Sequence, residues 1–503
     1  MMATSFNPLR VLGPMVRFLS GKQKASDMDR ELPFTAMLFT LMAASGIAVY
    51  DTWKKMCQVD LLPTSQKEAQ EIVRQVEVLG YDPLTAMHRK AEAATSKTYR
   101  DFLSGYVSSI RSGINMANFL RSKLRSILES QSAAAFRSIE RLGTLVEAYA
   151  VMLIVTLCVY ILYAVMSTTA TFEYLSAGLS SSASEPLMYA LIFLATPFVT
   201  FIFMAIANLA RHSNLLSIKE AYRNVLISGS AAAGFFAAAT LLPQLSFVVE
   251  AMTLPGVVVV CLMTISMPPA FAYYKIAKEN SAAEEAMPSF LRDITESRKI
   301  GLSPVKSIVQ ATKRTGYGPF TETLKLVRSQ IEWGLPLRKI FSSVKRRIRS
   351  WPVLVYFLIL IETIEFGGGS AGALEILSDY SEKTKEVEAN KRSTLKPYVM
   401  LAFVWSVLIA LTTSIVAITI YVLTQINTPG SAPAMLTSIE QQIVMFSLGI
   451  IFQCWMSGFF IGKISEGTFA AGFKYSAMLA ITGYVSLFLS QNYLLGTLGV
   501  IKS

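Results

Sequence analysis

Hydrophobic and polar positions along the 503 residues fall into two alternating textures. In one, apolar residues recur at helical spacing among charged ones, and each run stops at a glycine. In the other, apolar residues are nearly continuous over lengths that suit a bilayer crossing, about 20 residues. Seven such stretches occur, at roughly 144 to 167, 186 to 208, 225 to 248, 252 to 274, 397 to 423, 443 to 462 and 473 to 494. The amphipathic texture occupies the segment before the first stretch and the segment between the fourth and the fifth.

The glycines give the amphipathic segments their order. Gly46, Gly80 and Gly113 are spaced by 34 and 33 residues, Gly301, Gly334 and Gly367 by 33 and 33, and the trios lie 255, 254 and 254 residues apart. Each follows a helical run and precedes a new helix start, as in "VEVLG-YDPLTAM" and "SRKIG-LSPVKSI". Glycine accepts positive φ and closes the outgoing helix, while Asp82 or Ser303 can cap the next, with Pro83 or Pro304 in its first turn. The unit is an αα-hairpin, three hairpins make a six-helix bundle, and the bundle is duplicated.

The duplication also removes a false span. Phe34 to Tyr50 reads as a membrane helix in isolation, but its counterpart, Ser289 to Val305, carries Arg292, Asp293, Glu296, Arg298 and Lys299. At roughly 2.5 to 3.5 kcal/mol for each charge near a helix centre, that segment does not cross a bilayer. If the copies share a fold, Phe34 to Tyr50 is a core helix. "VLVYFLILIETIEF", with Glu362 and Glu365, is read the same way.

Composition changes the picture only by confirming a membrane protein, with 52% hydrophobic and 16% charged residues. Charge adds orientation. Of 46 Lys and Arg, 19 lie in residues 1 to 143, 3 in 208 to 224, 21 in 275 to 396 and 2 in 463 to 474. The remaining loops hold none, and basic residues favour the cytoplasmic side, so both bundles are expected in the cytoplasm. Parity then explains why four spans follow the first bundle and three the second: the fourth returns the chain to the cytoplasm. The expected plan is an N-terminal cytoplasmic segment to residue 29, bundle one over 30–143, four spans over 144–277, bundle two over 278–396, three spans over 397–494 and an external tail over 495–503. Pro197, Pro255 and Pro268-Pro269 should bend or break their helices.

Chemistry is sparse. Gly458-Phe-Phe-Ile-Gly462-Lys463 lacks the spacing and the hydroxyl of a phosphate-binding loop. Gly458 with Gly462, and Gly229 with Gly234, offer small-residue faces for packing between spans. His88 and His212 have no Cys or His at ligand spacing, and the four cysteines stand alone, so no cofactor, metal site or catalysis is expected. Ionisable residues inside the spans are scarce, which weakens a transporter or channel with duplicated regulatory bundles, the main alternative; a membrane-tethered adaptor is another. The bundles carry net charges of +6 and +7. Their densest clusters, Lys345, Arg346, Arg347 and Arg349 in one and Arg121, Lys123 and Arg125 in the other, suit either an acidic protein partner or anionic lipid. No recognition motif for nucleic acid accompanies them.

"RELPFTAMLFTLMAASGIAVYDTW" and "EEAMPSFLRDITESRKIGLSPVKSI" resemble the opening of the cytoplasmic domain of the type II secretion F family, the platform proteins of type IV pili, secretion systems and archaella. "GLPLRKIF" resembles its middle hairpin, and "IEFGGGSAGALEILSDYSEKTKEVEANKRS" its last unit and connecting helix. Seven spans look more like archaeal pilus and archaellum platforms than the three-span bacterial plan. The acidic residue usual beside the last glycine is displaced here to Glu362 and Glu365, with Arg111 before Gly113 in the first copy. The resemblance implies an all-α, polytopic, non-enzymatic membrane platform, a homo-oligomer such as a dimer. It would couple a hexameric secretion ATPase, with the two basic clusters as docking candidates, to insertion of pilin-like subunits from the lipid. Pilus and archaellum are both left open.

Overall fold

The computed structural model describes residues 8–176, 190–210, 219–241, 246–427 and 433–497. In chain order the α-helices are α1 (Pro8–Ala44), α2 (Val49–Met56), α3 (Pro63–Glu77), α4 (Pro83–Ala93), α5 (Lys97–Arg111), α6 (Met116–Ser176), α7 (Thr196–Ala210), α8 (Lys219–Leu241) and α9 (Ser246–Lys299). They continue with α10 (Pro304–Thr312), α11 (Phe320–Glu332), α12 (Leu337–Arg347), α13 (Trp351–Gly367), α14 (Ala371–Asn427), α15 (Pro433–Glu466) and α16 (Phe469–Thr497). Among the described residues six helical segments are long and apolar enough to cross a membrane, in α6, α7 with the turn before it, α9, α14, α15 and α16. The protein is a multi-pass membrane protein. The seventh expected stretch, 225 to 248, is helical as far as Leu241, and 242–245 lie outside the described residues. So do 177–189 of the first outer loop and 498–503 of the expected external tail.

Proline acts unevenly. A π-helical turn, Leu191–Ala195, precedes Pro197, as expected where a missing N–H loosens the ladder. In α9 the backbone breaks at Thr253 (φ 60°, ψ 160°), two residues before Pro255, whereas Pro268 and Pro269 stay within the helix.

The chain divides into two compact units: Met1–Ala135 with Glu279–Glu388, and Phe136–Lys278 with Ala389–Ser503. The divisions fall inside α6, α9 and α14, so no linker separates the textures that the sequence shows.

The first unit contains both six-helix copies. Five of the expected glycines, Gly46, Gly80, Gly113, Gly301 and Gly334, take φ between 65° and 93° just past a helix end. At four of these turns the next N–H reaches back five residues, as in Ile47 N to Met42 O (3.0 Å) and Leu302 N to Ser297 O (3.2 Å). This satisfies carbonyls that the ending helix leaves open. The sixth turn corrects the sequence reading by one residue. Gly367 ends α13 in helical conformation and Gly368 takes φ 62°. Three successive glycines permit either stop, and stopping at Gly368 lets Gly369 N reach Thr363 O at 3.0 Å. Asp82 caps α4 through the N–H groups of Leu84 and Thr85, and Ser303 caps α10 through that of Lys306.

At Gly301 an added Cβ would meet nothing within 4 Å, so only backbone strain opposes it. Gly301→Ala should therefore lose about 1–2 kcal/mol. Gly372→Ala, in the first turn of α14 with equally open space, should gain roughly 0.4–1 kcal/mol. Denaturant titration of the two full-length variants would show opposite signs.

A second repeated device ties each copy's first helix to its fifth. Ser96, the N-cap of α5, donates to Asp29, and Ser350, the N-cap of α13, donates to Glu284 (2.7 Å). The two copies also share one core. Phe34 lies 4.9 Å from Trp351, 5.6 Å from Tyr356 and 5.4 Å from Tyr380, centroid to centroid. The Trp351 indole donates to Leu61 O at 2.9 Å, and the Arg30 guanidinium lies 4.5 Å over its ring. Each such aromatic pair adds about 0.5–1.5 kcal/mol beyond its buried area. The apolar run Phe34–Met42 thus serves a protein core.

In the second unit α15 and α16 pack through glycine. A Cβ on Gly458 would fall on the Ser476 main chain, one on Gly462 on the main chain of Gly472, and one on Gly472 would lie 2.7 Å from Phe459 Cα. Gly229 and Gly234 behave differently: among the described residues an added Cβ there meets nothing within 4 Å. Among the described residues no helix lies against that pair. α8 instead rests on α9 through Ala232, Ala239, Val257 and Cys261, and leaves Leu226 and Ile227 exposed.

Candidate functional site

α12 is short and amphipathic. Ile340 and Val344, one helical turn apart, are buried in the core, which turns Arg338, Lys339, Ser342, Lys345 and Arg346 outward. Lys345, Arg346 and Arg347 form its last turn, where the helix dipole favours cations. Arg347 donates to Glu322 O at 3.4 Å. The chain then turns extended at Ile348, and the N–H groups of Arg349 and Ser350 both bond to Asn280 Oδ1, at 2.7 and 2.9 Å. Asn280 is 3% exposed, so this seat on α9 is a buried one.

The other end of α12 is held by charge. Arg338 Nη2 meets both oxygens of Glu362 at 3.1 and 3.4 Å, and its Nε meets Glu365 Oε2 at 3.1 Å. The Glu362 side chain is only 7% exposed. Burial raises its pKa above the ordinary carboxylate range; Arg338 opposes the rise and Glu365 adds to it. Next to this pair Arg298 donates to the carbonyls of Gly369 (2.8 Å) and Leu302, which fastens the α9–α10 turn to the α13–α14 turn. The displaced acids Glu362 and Glu365 are thus the anchors that position the basic helix.

The second cluster lies on α6. Leu120, Leu124 and Ile127 are buried there, Arg121 and Arg125 are exposed and Lys123 is half-buried. Arg125 pairs with Glu129 at 3.2 Å. Arg347 and the main chain of Arg349 bond within the second copy, and Arg125 pairs within the first.

A third feature is absent from the sequence reading. In the second unit Tyr149 Oη lies 2.7 Å from Ser457 Oγ and 3.4 Å from Thr200 Oγ1, and Gln453 Nε2 donates to Tyr149 (3.2 Å) and Thr200 (2.9 Å). Three helices, α6, α7 and α15, meet at these uncharged groups. A reading confined to charged residues passes over them; the available signal is Gln453 in the middle of an apolar stretch. No group of three His, Cys, Asp or Glu residues able to hold a metal occurs among the described residues.

The arrangement is two copies of one helical module, each running without a break into a membrane-length helix, and it matches a known family model twice. Residues 34–164 and 290–418 both match type II secretion system (T2SS) protein F. The chain belongs to the T2SS protein F family. Each F domain opens at a buried core aromatic, Phe34 or Phe290, and extends past the bundle into the apolar part of α6 or α14. The F-domain repeat is therefore module plus first span. The chain is also similar to "Uncharacterized protein MJ1286" of Methanocaldococcus jannaschii, with 23% identity over 94% of this chain and 82% of that protein. No solved structure matches it.

Proposed function

We propose that this F-family protein is the non-enzymatic platform of a type IV pilus-like filament, in an archaeal pilus or archaellum, acting as a homodimer. Its first unit lies in the cytoplasm and engages a hexameric secretion ATPase, and its second unit guides pilin-like subunits at lipid level. The observation that carries this reading is the continuity of α6, α9 and α14 from the six-helix copies into membrane-length apolar segments. The charge bias, 45 of 46 basic residues on the side of the bundles, supports the cytoplasmic placement.

Both basic clusters are candidate docking sites for the ATPase in this reading. Arg121, Lys123 and Arg125 begin five residues after the start of α6 and suit an acidic partner in the cytoplasm. In the other cluster the main chain of Arg349 bonds to Asn280. At lipid level Gly458 and Gly462 are covered by α16, so they are not where a subunit helix lies. The face of α8 that bears Leu226, Ile227 and Gly234 is open and is the better surface for one.

Full-length protein should co-purify with the hexameric ATPase encoded by the same organism. Arg121→Glu, Lys123→Glu and Arg125→Glu together should weaken that association about tenfold or more at low salt, with a smaller loss at high salt. Co-purification of the variant at wild-type yield would remove this cluster from the interface. Solute flux through the protein in liposomes without any ATPase would instead favour a transporter.

A further inference from the structure

We propose that a pocket among α1, α3, α4 and α5 of the first copy is a phosphate site, able to hold inorganic phosphate or the terminal phosphate of a nucleotide. All its groups belong to one six-helix copy, so the inference stands apart from the platform reading.

Lys24 of α1, Glu68 of α3, Lys90 near the end of α4, Ala94 just past it and Tyr99 of α5 line a pocket of about 60 Å³. Lys24 Nζ lies 2.9 Å from Glu68 Oε1 and Lys90 Nζ 2.9 Å from Glu68 Oε2. Burial opposes ionisation of Glu68, but hydrogen bonds from the two lysines outweigh it and hold the pKa below the ordinary carboxylate value. Two ammonium groups against one carboxylate leave the pocket with a net charge of +1. Each ammonium uses one N–H on Glu68 and keeps the others. Donors and positive charge are therefore in surplus, and an oxyanion is their complement.

Tyr99 is a second and independent observation. It is 2% exposed, and its hydroxyl has no hydrogen-bond partner among the described residues. Burial and the charge of Glu68 raise its pKa well above the ordinary phenol value, so the hydroxyl keeps its proton and is a donor at neutral pH. A tetrahedral oxyanion can accept from both ammonium groups and the phenol together. The volume accommodates roughly four to six groups the size of a water molecule, which suits phosphate and excludes a nucleoside.

The second copy shows the same frame without this chemistry. α4 and α12 correspond end for end, 254 residues apart, and at that spacing Lys90, Ala94 and Tyr99 fall on Val344, Ile348 and Val353. All three are buried in the core. Branched apolar residues thus satisfy the fold at these places. The first copy instead has a lysine, a small residue that leaves room, and a buried hydroxyl without a protein partner, which costs stability. Such a local departure from the packed pattern is what a binding site requires.

The test titrates full-length protein in detergent with inorganic phosphate, ADP and acetate, followed by ligand line broadening in phosphorus or proton NMR. Phosphate should bind saturably, and acetate at least about tenfold more weakly. ADP in competition should bind more tightly than phosphate if the nucleotide is the source and more weakly if the free ion is; either upholds the site. Lys90→Met takes the pocket charge from +1 to zero while Glu68 keeps Lys24, and should weaken phosphate binding about tenfold or more. Tyr99→Phe should weaken it by a similar factor, yet unfold at the same or a higher urea concentration than wild type, because no protein hydrogen bond is lost. A tyrosine with a structural role alone would leave binding intact. Lys67→Met, which removes an exposed lysine from α3, should not change affinity. No saturable phosphate binding, acetate as strong as phosphate, unchanged affinity in Tyr99→Phe, or equal losses in Lys67→Met and Lys90→Met would each overturn the proposal.

Discussion

Arg338→Met should destabilise the full-length protein by about 1–3 kcal/mol at pH 7, the cost of leaving a buried charged group without its hydrogen-bond partner, moderated because Arg338 is itself 48% exposed. Glu362 is the reason. Its side chain is 7% exposed, and Arg338 supplies two of its short contacts. Without the guanidinium the buried carboxylate keeps the more distant charge of Lys55, while Glu365, one turn on, repels it. The pH dependence follows from the sign of the shift. Burial already raises the folded pKa of Glu362 above its ordinary value, so the folded state binds this proton more readily than the unfolded state does. Its contribution to stability is fully present below the unfolded pKa and is lost as pH rises through the folded one. Removing Arg338 raises the folded pKa further, so the deficit of the variant should be largest at neutral pH and should shrink as pH falls towards 5. The double variant Arg338→Met, Glu362→Gln should recover most of the loss, because no charge then remains buried. Urea titrations at several pH values would measure all three. A deficit independent of pH would mean that Arg338 acts through packing alone.

The glycine spacing was enough to place the hairpin turns, because a positive-φ residue is a local requirement that one residue type meets. Asp82 and Ser303 were readable as caps for the same reason. The turn at Gly368 was misplaced by one residue because "GGG" offers equivalent stops. What was not legible needed partners far apart in sequence. Phe34 meets Trp351 and Tyr356 across more than 300 residues, and Tyr149 meets Gln453 and Ser457 across a similar gap. Nothing in either local pattern names the other half. The spans were readable from hydropathy, yet their packing was not. Gly229/Gly234 and Gly458/Gly462 both read as small-residue faces, and among the described residues only the second pair has a helix lying on it. That signature describes a face; it does not say whether the face is covered.

The covered pair yields the second large effect. Gly458→Ala and Gly462→Ala each place a methyl group on the main chain of α16, at Ser476 and Gly472, where no side chain can rotate away. The helices must separate, and with them the contact of Phe459 with Phe473 (4.9 Å). Overpacking of a tight interface costs about 1–3 kcal/mol per site and more when backbone has to move, so the double variant should lose about 3 kcal/mol or more. The hydrogen bond between Tyr149 and Ser457 lies one residue before Gly458, so a shift of α15 also strains the polar junction of α6, α7 and α15. Gly234→Ala, on the open face of α8, should change stability by less than about 0.5 kcal/mol, and alanine there is favourable in a helix. Unfolding of the purified variants in mixed micelles on titration with dodecyl sulfate would rank them. If the covered and open glycines proved equally tolerant, the close approach of α15 and α16 would not be a source of stability, and the junction around Tyr149 would have to be held by its hydrogen bonds alone.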